Sequence, residues 1–543
     1  MDEWIKVSWD GMEWVVKKGY EQFIPSAIWE KATRPTLFPE CHVLKDNILR
    51  TALLISLSAH DQQTIFFKRH RRRSWKDDLT SLFIPSRAFS EWKLLVHFKR
   101  LNLPAPSPIA YGEKRHHGIL KDSCLITEAI LHAEPLTFYL SKQCASEKKE
   151  ETKIELLSRL AQLIAQLHQK GGYYRDLHGG NILCQTKSGG KVDLLFVDTD
   201  KVRFVSKMTW GRKSRDLAML YNSIRWDTKS TWVRFLQAYL AETNHLNVRE
   251  EKIFSKIEDT ARGLTERHLK SRSKRCLKKS TSFEVTVKGR QKRYVRKELS
   301  EDILEQVVAK VEKSLGTSQE KSFGKAVKFK RFRISPPQNY PSLTLWVRYY
   351  HYNSWERVKS LIGFSPGKAA WFNSNGLGVR QILTPKPLAL VEKKEVWGIK
   401  SSIFITEDVS FLDRLNDYLL KHFIPKNRGS HFVRKRTFLK CFSDNLSRVY
   451  EKKVYFENLK AEKILVEEKG ENSWRFYFEN VDRIVFNHPV SDIKKMKNLL
   501  QLHATIPSTI GGKDRLRFLC YFLRPLSREK GKAFIRKVLA QIT

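Results

Sequence analysis

Residues 173–200 constrain this chain more than any other stretch. They read Tyr173-Tyr174-Arg175-Asp176-Leu177-His178-Gly179-Gly180-Asn181-Ile182-Leu183-Cys184, then a short hairpin-like segment, then Leu194-Leu195-Phe196-Val197-Asp198-Thr199-Asp200. Asp176 stands five positions before Asn181, and Asp198 ends an apolar run that reads as a strand. The residue types suit phosphoryl transfer. An Asp can accept or orient the proton of an attacking hydroxyl, while an Asn and a second Asp can hold a divalent cation against phosphates. A bare D-x4-N arises often by chance. One that continues into Asn-Ile-Leu and is followed by a strand ending Val-Asp is far more restrictive.

Upstream, the hydrophobic pattern supplies matching partners. Residues 48–57 and 64–69 alternate as two strands around a turn at Ala59-His60-Asp61-Gln62, and the second carries Lys68. Residues 86–102 form an amphipathic pattern with Phe89, Trp92, Leu95 and Phe98 on one stripe, together with Glu91. A Lys on a strand paired with a Glu on the next helix is the other half of a phosphate-binding site. Residues 123–128 read as a strand leading into a hinge. Residues 154–169 form a helix with Leu157, Leu160, Ile164 and Leu167 on one face, running directly into the catalytic-type loop. Asp216 is read at the start of an apolar helix, where it can bind the loop backbone or act as a cap.

Composition bounds the rest. The chain has 543 residues, enough for two to four domains. No apolar run approaches the roughly 20 residues of a membrane helix, and no secretory signal is visible. Seven scattered cysteines (Cys41, Cys124, Cys144, Cys184, Cys276, Cys441, Cys520) form no C-x-x-C pair. That argues against disulfides or zinc and for a reducing cytoplasm. The formal charge is +42, of which residues 1–250 hold +11 and the remainder +31. Residues 267–297 alone carry 13 basic side chains and one acid, Glu284. Such a field favours phosphate-rich partners: nucleic acid, an anionic membrane surface or a phosphorylated glycolipid. Without a recognisable module, nucleic acid is disfavoured as a partner.

Phe67-Lys68-Arg69-His70 with Ser74-Trp75, Glu91-Trp92, Leu125-Ile126-Thr127-Glu128, Arg175-Asp176 through Leu183, and Val197-Asp198-Thr199-Asp200 resemble the bacterial lipopolysaccharide kinase (Kdo/WaaP) family. The resemblance covers about residues 42–225. It implies a protein-kinase-like fold and phosphorylation of a sugar of the lipopolysaccharide inner core from ATP. It further implies Lys68 on the phosphates, Glu91 as its partner, Asp176 as base, and Asn181 and Asp198 on Mg²⁺. The chain departs from the general kinase pattern at three points. Tyr174 replaces the His of H-R-D, Asp200 replaces the Gly of D-F-G, and no G-x-G-x-x-G precedes Lys68.

The second half repeats the first at an offset of 279–282 residues. Lys68 corresponds to Arg348, Ile126-Thr127-Glu128 to Ile405-Thr406-Glu407, Asp176 to Asn458, Ile182-Leu183 to Ile464-Leu465, Asp198 to Asn480 and Asp216 to Asn498. By the same offsets Glu91 becomes Ala370 and Asn181 becomes Lys463. The apolar framework persists while the charges that bind a metal or activate a hydroxyl are gone.

These readings predict an α+β chain of two protein-kinase-like bilobal domains in tandem: an N-terminal extension over 1–40, an active domain over 41–275 and a degenerate pseudokinase domain over 276–543. The expected protein is an ATP- and Mg²⁺-dependent kinase. Its acceptor is a hydroxyl of a membrane glycolipid, lipopolysaccharide core Kdo or heptose. Its expected place is cytoplasmic and peripheral, at the inner face of the cytoplasmic membrane. A protein kinase is the first alternative, disfavoured by the short segment after Asp198 and the absence of A-P-E. A non-catalytic tandem module binding anionic lipid or nucleic acid is the second, disfavoured by five intact polar positions in one half.

Overall fold

The computed structural model describes residues 3–539 except 22–27, 48–49, 58–62, 72–81, 83, 144–149, 188–190, 225–228, 244–249, 317–327, 335–342, 364, 424–429, 480 and 525–527. The predicted turn at Ala59–Gln62, the Ser74-Trp75 pair, Cys144 and Asn480 lie outside the described residues. The chain divides into two compact units, Met1–Thr265 and Glu266–Thr543.

The first unit opens on an antiparallel sheet of β1 (Trp4–Trp9), β2 (Met12–Lys17), β3 (Cys41–Asn47), β4 (Arg50–Ser56), β5 (Thr64–Arg71), β6 (Pro108–His116) and β7 (Ile119–Glu128), in the order β1-β2-β6-β7-β5-β4-β3. The Trp-rich N-terminal segment thus supplies two strands of this sheet. Met12 pairs with Lys114 and Trp14 with Gly112. The absence of a side chain at Gly112 matters, because a Cβ there would lie 2.9 Å from both Met12 and Trp14. Trp14, Trp29, Leu53, Ile65, Phe67 and Ile126 fill the core on one face of the sheet. The Arg87–Arg100 helix lies between β5 and β6 in the chain. Ser86 caps it by accepting from Phe89 N–H at 2.9 Å.

Helices follow, around a second core of Leu160, Ile164, Leu167, Tyr174, Phe196, Trp232 and Phe235 among others. The Glu150–Gln169 helix enters the short strand β9 (Gly172–Tyr174), which pairs with β12 (Val202–Phe204). Between them, β10 (Ile182–Thr186) pairs with β11 (Val192–Phe196) and with β8 (Ala133–Pro135). The predicted apolar helix does not start at Asp216. It spans Trp210–Ser223, so Asp216 is an interior residue rather than a cap.

The second unit repeats this order. Its main sheet is β13 (Phe283–Lys288), β14 (Gln291–Arg296), β15 (Lys328–Ile334), β16 (Leu343–His351), β17 (Pro387–Glu395) and β18 (Gly398–Glu407), in the order β13-β14-β17-β18-β16-β15. Among the described residues, that is the first sheet's order without a partner for β3. Register agrees residue by residue. Lys68 faces Leu125 across β5 and β7, and Arg348 faces Phe404 across β16 and β18. Ile182 faces Phe196 as Ile464 faces Phe478. Tyr174 faces Val202 as Phe456 faces Ile484. The architecture is α+β, with antiparallel sheets each followed by a helical region.

Gly171 sets the entry to the loop before β9. Its φ is +78°, and a Cβ would lie 2.5 Å from the carbonyl oxygen of Val205. Gly171→Ala is expected to cost about 1–3 kcal/mol, combining left-handed backbone strain with a clash against a backbone atom. A urea titration followed by circular dichroism checks this, with an unshifted midpoint counting against it.

Candidate active site

Alternation along β5 turns Lys68 away from the solvent, and the residue is only 3% exposed. Its ammonium donates to both Glu91 oxygens, at 2.9 and 3.0 Å, and to Asp198 Oδ1 at 2.5 Å. Strand, helix and loop therefore meet at one cation. Burial opposes the charge on Lys68, but Glu91 and Asp198 outweigh it and hold its pKa above the ordinary lysine value. Burial lifts the Glu91 pKa, with Lys68 pulling against it. At Asp198 burial also opposes ionisation, and there Lys68 prevails, keeping the carboxyl below its usual range. His70, next along the buried face, is pushed down to about 3 by burial and by Lys68, Arg50 and Arg87, so it is neutral at pH 7.

Asp198 itself has φ +54° and ψ +45°, a left-handed conformation that a non-glycine residue adopts only under local constraint. The constraint comes from Tyr174. This buried residue occupies the position where the general kinase pattern has His. Its hydroxyl donates to the carbonyl oxygen of Val197 and, at 2.8 Å, to that of Asp198. The Tyr174 backbone N–H in turn donates to Asp216 Oδ2 at 2.5 Å. His168 Nε2 lies 3.3 Å from the same oxygen, and its Nδ1 lies 2.7 Å from the Tyr239 hydroxyl. A buried chain thus runs Tyr239, His168, Asp216, Tyr174, Asp198. Sequence reading reached Asp216 but not His168, Tyr239 or the tyrosine's second role.

The loop from Arg175 to Asn181 lies beside this chain. Asn181 Nδ2 donates to the Asp176 carbonyl oxygen at 3.0 Å, and Val197 N–H donates to the Asn181 carbonyl at 3.0 Å. His178 Nδ1 accepts from Gly180 N–H at 3.1 Å, shaping the 3₁₀ turn Gly179–Asn181. The structure brings Lys68, Glu91 and Asp198 into direct contact and ties Asp176 to Asn181 within one loop. Val197 links the two groups.

Lys68, Glu91, Val197 and Asp198 border a cleft of about 380 Å³. Leu54, Phe66, Leu125 and Leu183 supply apolar lining, Thr127, Glu128 and Ile130 come from the hinge, and Lys68, Glu91 and Asp198 form the charged end. An apolar slot ending in one cation and carboxylates suits a planar base with a polyphosphate. The donor set also fits a hard cation. The Asp198 side chain is 47% exposed, and the Asn181 amide nitrogen is spent on Asp176, leaving its carbonyl oxygen for a metal. Among the described residues no three His, Cys, Asp or Glu side chains converge as a metal cage. Mg²⁺ with a nucleotide needs only one or two protein oxygens, because phosphates and water complete its shell.

The second unit keeps the frame and changes the chemistry. Arg348 donates to the Glu479 backbone oxygen at 2.9 Å and lies 3.9 Å from Asp482. Ala370 is fully buried where Glu91 would stand. The Tyr350 hydroxyl donates to Asp482 Oδ1 at 3.1 Å. Asn458 is exposed, and Lys463 closes the 3₁₀ turn Ala461–Lys463, as Asn181 closes its own. Tyr450 donates to Asn498 Oδ1 at 3.1 Å, and Asn498 Nδ2 donates to the Phe456 carbonyl at 2.7 Å. A neutral Tyr–Asn pair therefore stands where the first unit has His168 and Asp216.

Tyr174→Phe is expected to remove both hydroxyl bonds while leaving the ring in place. Stability should fall by about 1–2 kcal/mol, the usual cost of buried acceptors left unpaired. Nucleotide affinity should weaken more when measured with Mg²⁺ than without, because the bonds hold Asp198. Calorimetric titration with ATP in both conditions tests this. Equal losses would show that the hydroxyl acts on stability alone.

Residues 46–239 match the model of the lipopolysaccharide kinase (Kdo/WaaP) family. The 3-deoxy-D-manno-octulosonic acid kinase of Pasteurella multocida is 31% identical over 151 residues, 28% of this chain and 58% of that enzyme's length. The lipopolysaccharide core heptose(I) kinase WaaP of Escherichia coli is 24% identical over 219 residues, 38% of this chain and 82% of that enzyme. A solved structure of WaaP in complex with acyl carrier protein is 20% identical, covers 47% of this chain and 99% of that one, and has a TM-score of 0.36. Residues 46–239 are thus similar to the lipopolysaccharide kinase (Kdo/WaaP) family, and the chain spans a little over half the length of the Pasteurella multocida kinase it matches.

Proposed function

We propose that the first unit transfers the γ-phosphoryl group of ATP to a sugar hydroxyl of a membrane glycolipid, the lipopolysaccharide core, with Kdo or heptose as the accepting sugar. The observation that carries this reading is the convergence of Glu91 and Asp198 on Lys68 at the charged end of the cleft. Lys68 binds phosphate oxygens and Glu91 orients it. Asp176 accepts the proton of the sugar hydroxyl as its oxygen bonds to phosphorus. The bond from that phosphorus to the ADP oxygen breaks in the same displacement. Asn181 and Asp198 would hold Mg²⁺, which would neutralise phosphate charge. The family match and the names of the relatives support the substrate class.

We read the second unit as a pseudokinase. Ala370 cannot orient a phosphate-binding cation, and Lys463 puts a positive charge where Asn181 would face the metal. Its role in this reading is to hold the enzyme at the inner face of the cytoplasmic membrane. Among the described residues no helix is long and apolar enough to cross a bilayer. Arg272, Lys274, Arg275, Lys278 and Lys279 are all exposed, and such side chains attract anionic lipid.

Asp176→Asn is expected to lower phosphotransfer at least about a hundredfold without unfolding the protein. Asp198→Asn and Lys68→Ala should each abolish it. Assays with radiolabelled ATP and isolated core oligosaccharide test all three, and near wild-type turnover in any of them removes the assignment. Replacing the five basic residues with Gln should weaken binding to anionic vesicles by at least about tenfold at low salt, since that attraction is screened. Co-sedimentation at about 50 and 300 mM salt measures it, and unchanged binding excludes this stretch as the anchor.

A further inference from the structure

One end of the second unit's sheet is built inside out. The Ser354–Leu361 helix starts on a capping box between Asn353 and Glu356. Its polar side faces the protein. Ser360 is buried and accepts from Ile399 N–H at 2.7 Å, and Arg357 pairs with Glu395 at 2.8 Å. Its apolar side faces out. Trp355 is 66% exposed, Val358 51%, Leu361 60%, and Ile362, just beyond the helix, 75%. An amphipathic helix on a soluble domain is ordinarily oriented the other way.

The tip of the β17–β18 hairpin extends this surface. Glu395 faces Gly398 in register, leaving Val396 and Trp397 as the turn. They are 84% and 74% exposed. Gly398, at φ +104°, sits against the helix, where a Cβ would lie 2.3 Å from the Arg357 carbonyl oxygen. Helix and hairpin tip therefore form one surface with six large apolar side chains at least half exposed. That is several hundred Å², more than scattered surface hydrophobics explain.

The rim is basic. Lys359 stands 5.2 Å from the centre of the Trp355 ring. Lys393, Lys394 and Lys400 are exposed along the hairpin, and Arg290 is exposed on the β13–β14 turn, where its carbonyl accepts from Lys394 N–H at 2.7 Å. The nearby acids are already engaged. Glu395 is shared by Arg357 and Lys400, and Glu356 is held by the helix cap. Tryptophan with aliphatic residues at the centre and lysines at the edge is the pattern of a surface that enters the headgroup region of a bilayer.

We propose that Trp355, Val358, Ile362, Val396 and Trp397 insert into an anionic membrane while the surrounding lysines and Arg290 contact lipid phosphates. The proposal rests on the reading that the enzyme acts on a glycolipid. It adds an apolar, salt-resistant contact to the screened attraction of residues 272–279. A bilayer is favoured over a protein partner because the charge around the patch is net positive: Lys393 pairs with Glu312 and Lys400 with Glu395, while Lys359, Lys394 and Arg290 add positive charge facing an anionic plane.

The test uses the full-length chain with vesicles of phosphatidylglycerol and phosphatidylethanolamine. Trp355→Ser/Trp397→Ser and, separately, Val396→Glu should each reduce partitioning at about 500 mM salt by at least about tenfold, a margin of about 1.4 kcal/mol. Brominated lipids should quench wild-type tryptophan fluorescence, and the double variant should lose that quenching. Phosphotransfer to a soluble, deacylated core oligosaccharide should stay at the wild-type rate, which separates loss of the membrane contact from failure of the kinase reading. The proposal is overturned if either variant partitions like wild type at high salt. It is also overturned if the wild type fails to bind vesicles, or if the wild type sediments as a dimer that the double variant dissociates, which would make the patch a contact between copies.

Discussion

The buried cation of Lys68 is the interaction on which the first unit's site depends. Two carboxylates from different elements share it, so β5, the Arg87–Arg100 helix and the segment after β11 are held at one point. Burying such a group is expensive. Removing one partner of a buried ion pair typically costs about 3–5 kcal/mol, whereas replacing the whole set with well-packed neutral groups is often neutral or stabilising. The second unit illustrates the other solution. With Ala370 in place of Glu91, its cation turns to a backbone carbonyl, and the Tyr350 hydroxyl bonds to Asp482. The fold does not need the charges. On the proposed reading, their presence in the first unit is explained by the phosphates they would meet.

The same logic applies one layer deeper. Asp216 accepts from the Tyr174 backbone and from His168, while Asn498 donates to the Phe456 carbonyl and accepts from Tyr450. Both arrangements pin the catalytic-type loop to the helix after it. Burial raises the Asp216 pKa against the pull of its hydrogen-bonding partners, a tension the amide avoids. The second unit has therefore kept the positional role of this residue and removed its electrostatic cost.

Much of this was legible in the sequence, for physical reasons. Lys68 and Glu91 could be paired because strand and helix periods place each on a definable face, and their neighbours fix which face is buried. The repeat was visible because apolar positions in matched sheets are held by packing, so Ile464 and Phe478 could be found from Ile182 and Phe196. Three features were not legible. The N-terminal strands join the sheet through a pairing about a hundred residues away, Met12 to Lys114, and nothing local announces so distant a partner. His168 and Asp216 meet across 48 residues. Tyr174 reads as a lost catalytic-loop histidine until its hydroxyl is seen to bind the carbonyl of Asp198.

That hydroxyl also explains how a tyrosine can serve at this position. The requirement there is not a titrating group but a donor that fixes the backbone carrying Asp198 in a left-handed conformation. Burial and the surrounding carboxylates raise the Tyr174 pKa well above its ordinary value, so the phenol remains protonated and a donor throughout the accessible pH range. An imidazole, unlike a phenol, is a group that can take up a proton and become positively charged. It would then alter the field at Asp198 and Lys68 whenever it titrated. The phenol holds the loop without adding a titration of its own, and the charge state of the site is left to Lys68, Glu91 and Asp198, whose mutual contacts set it.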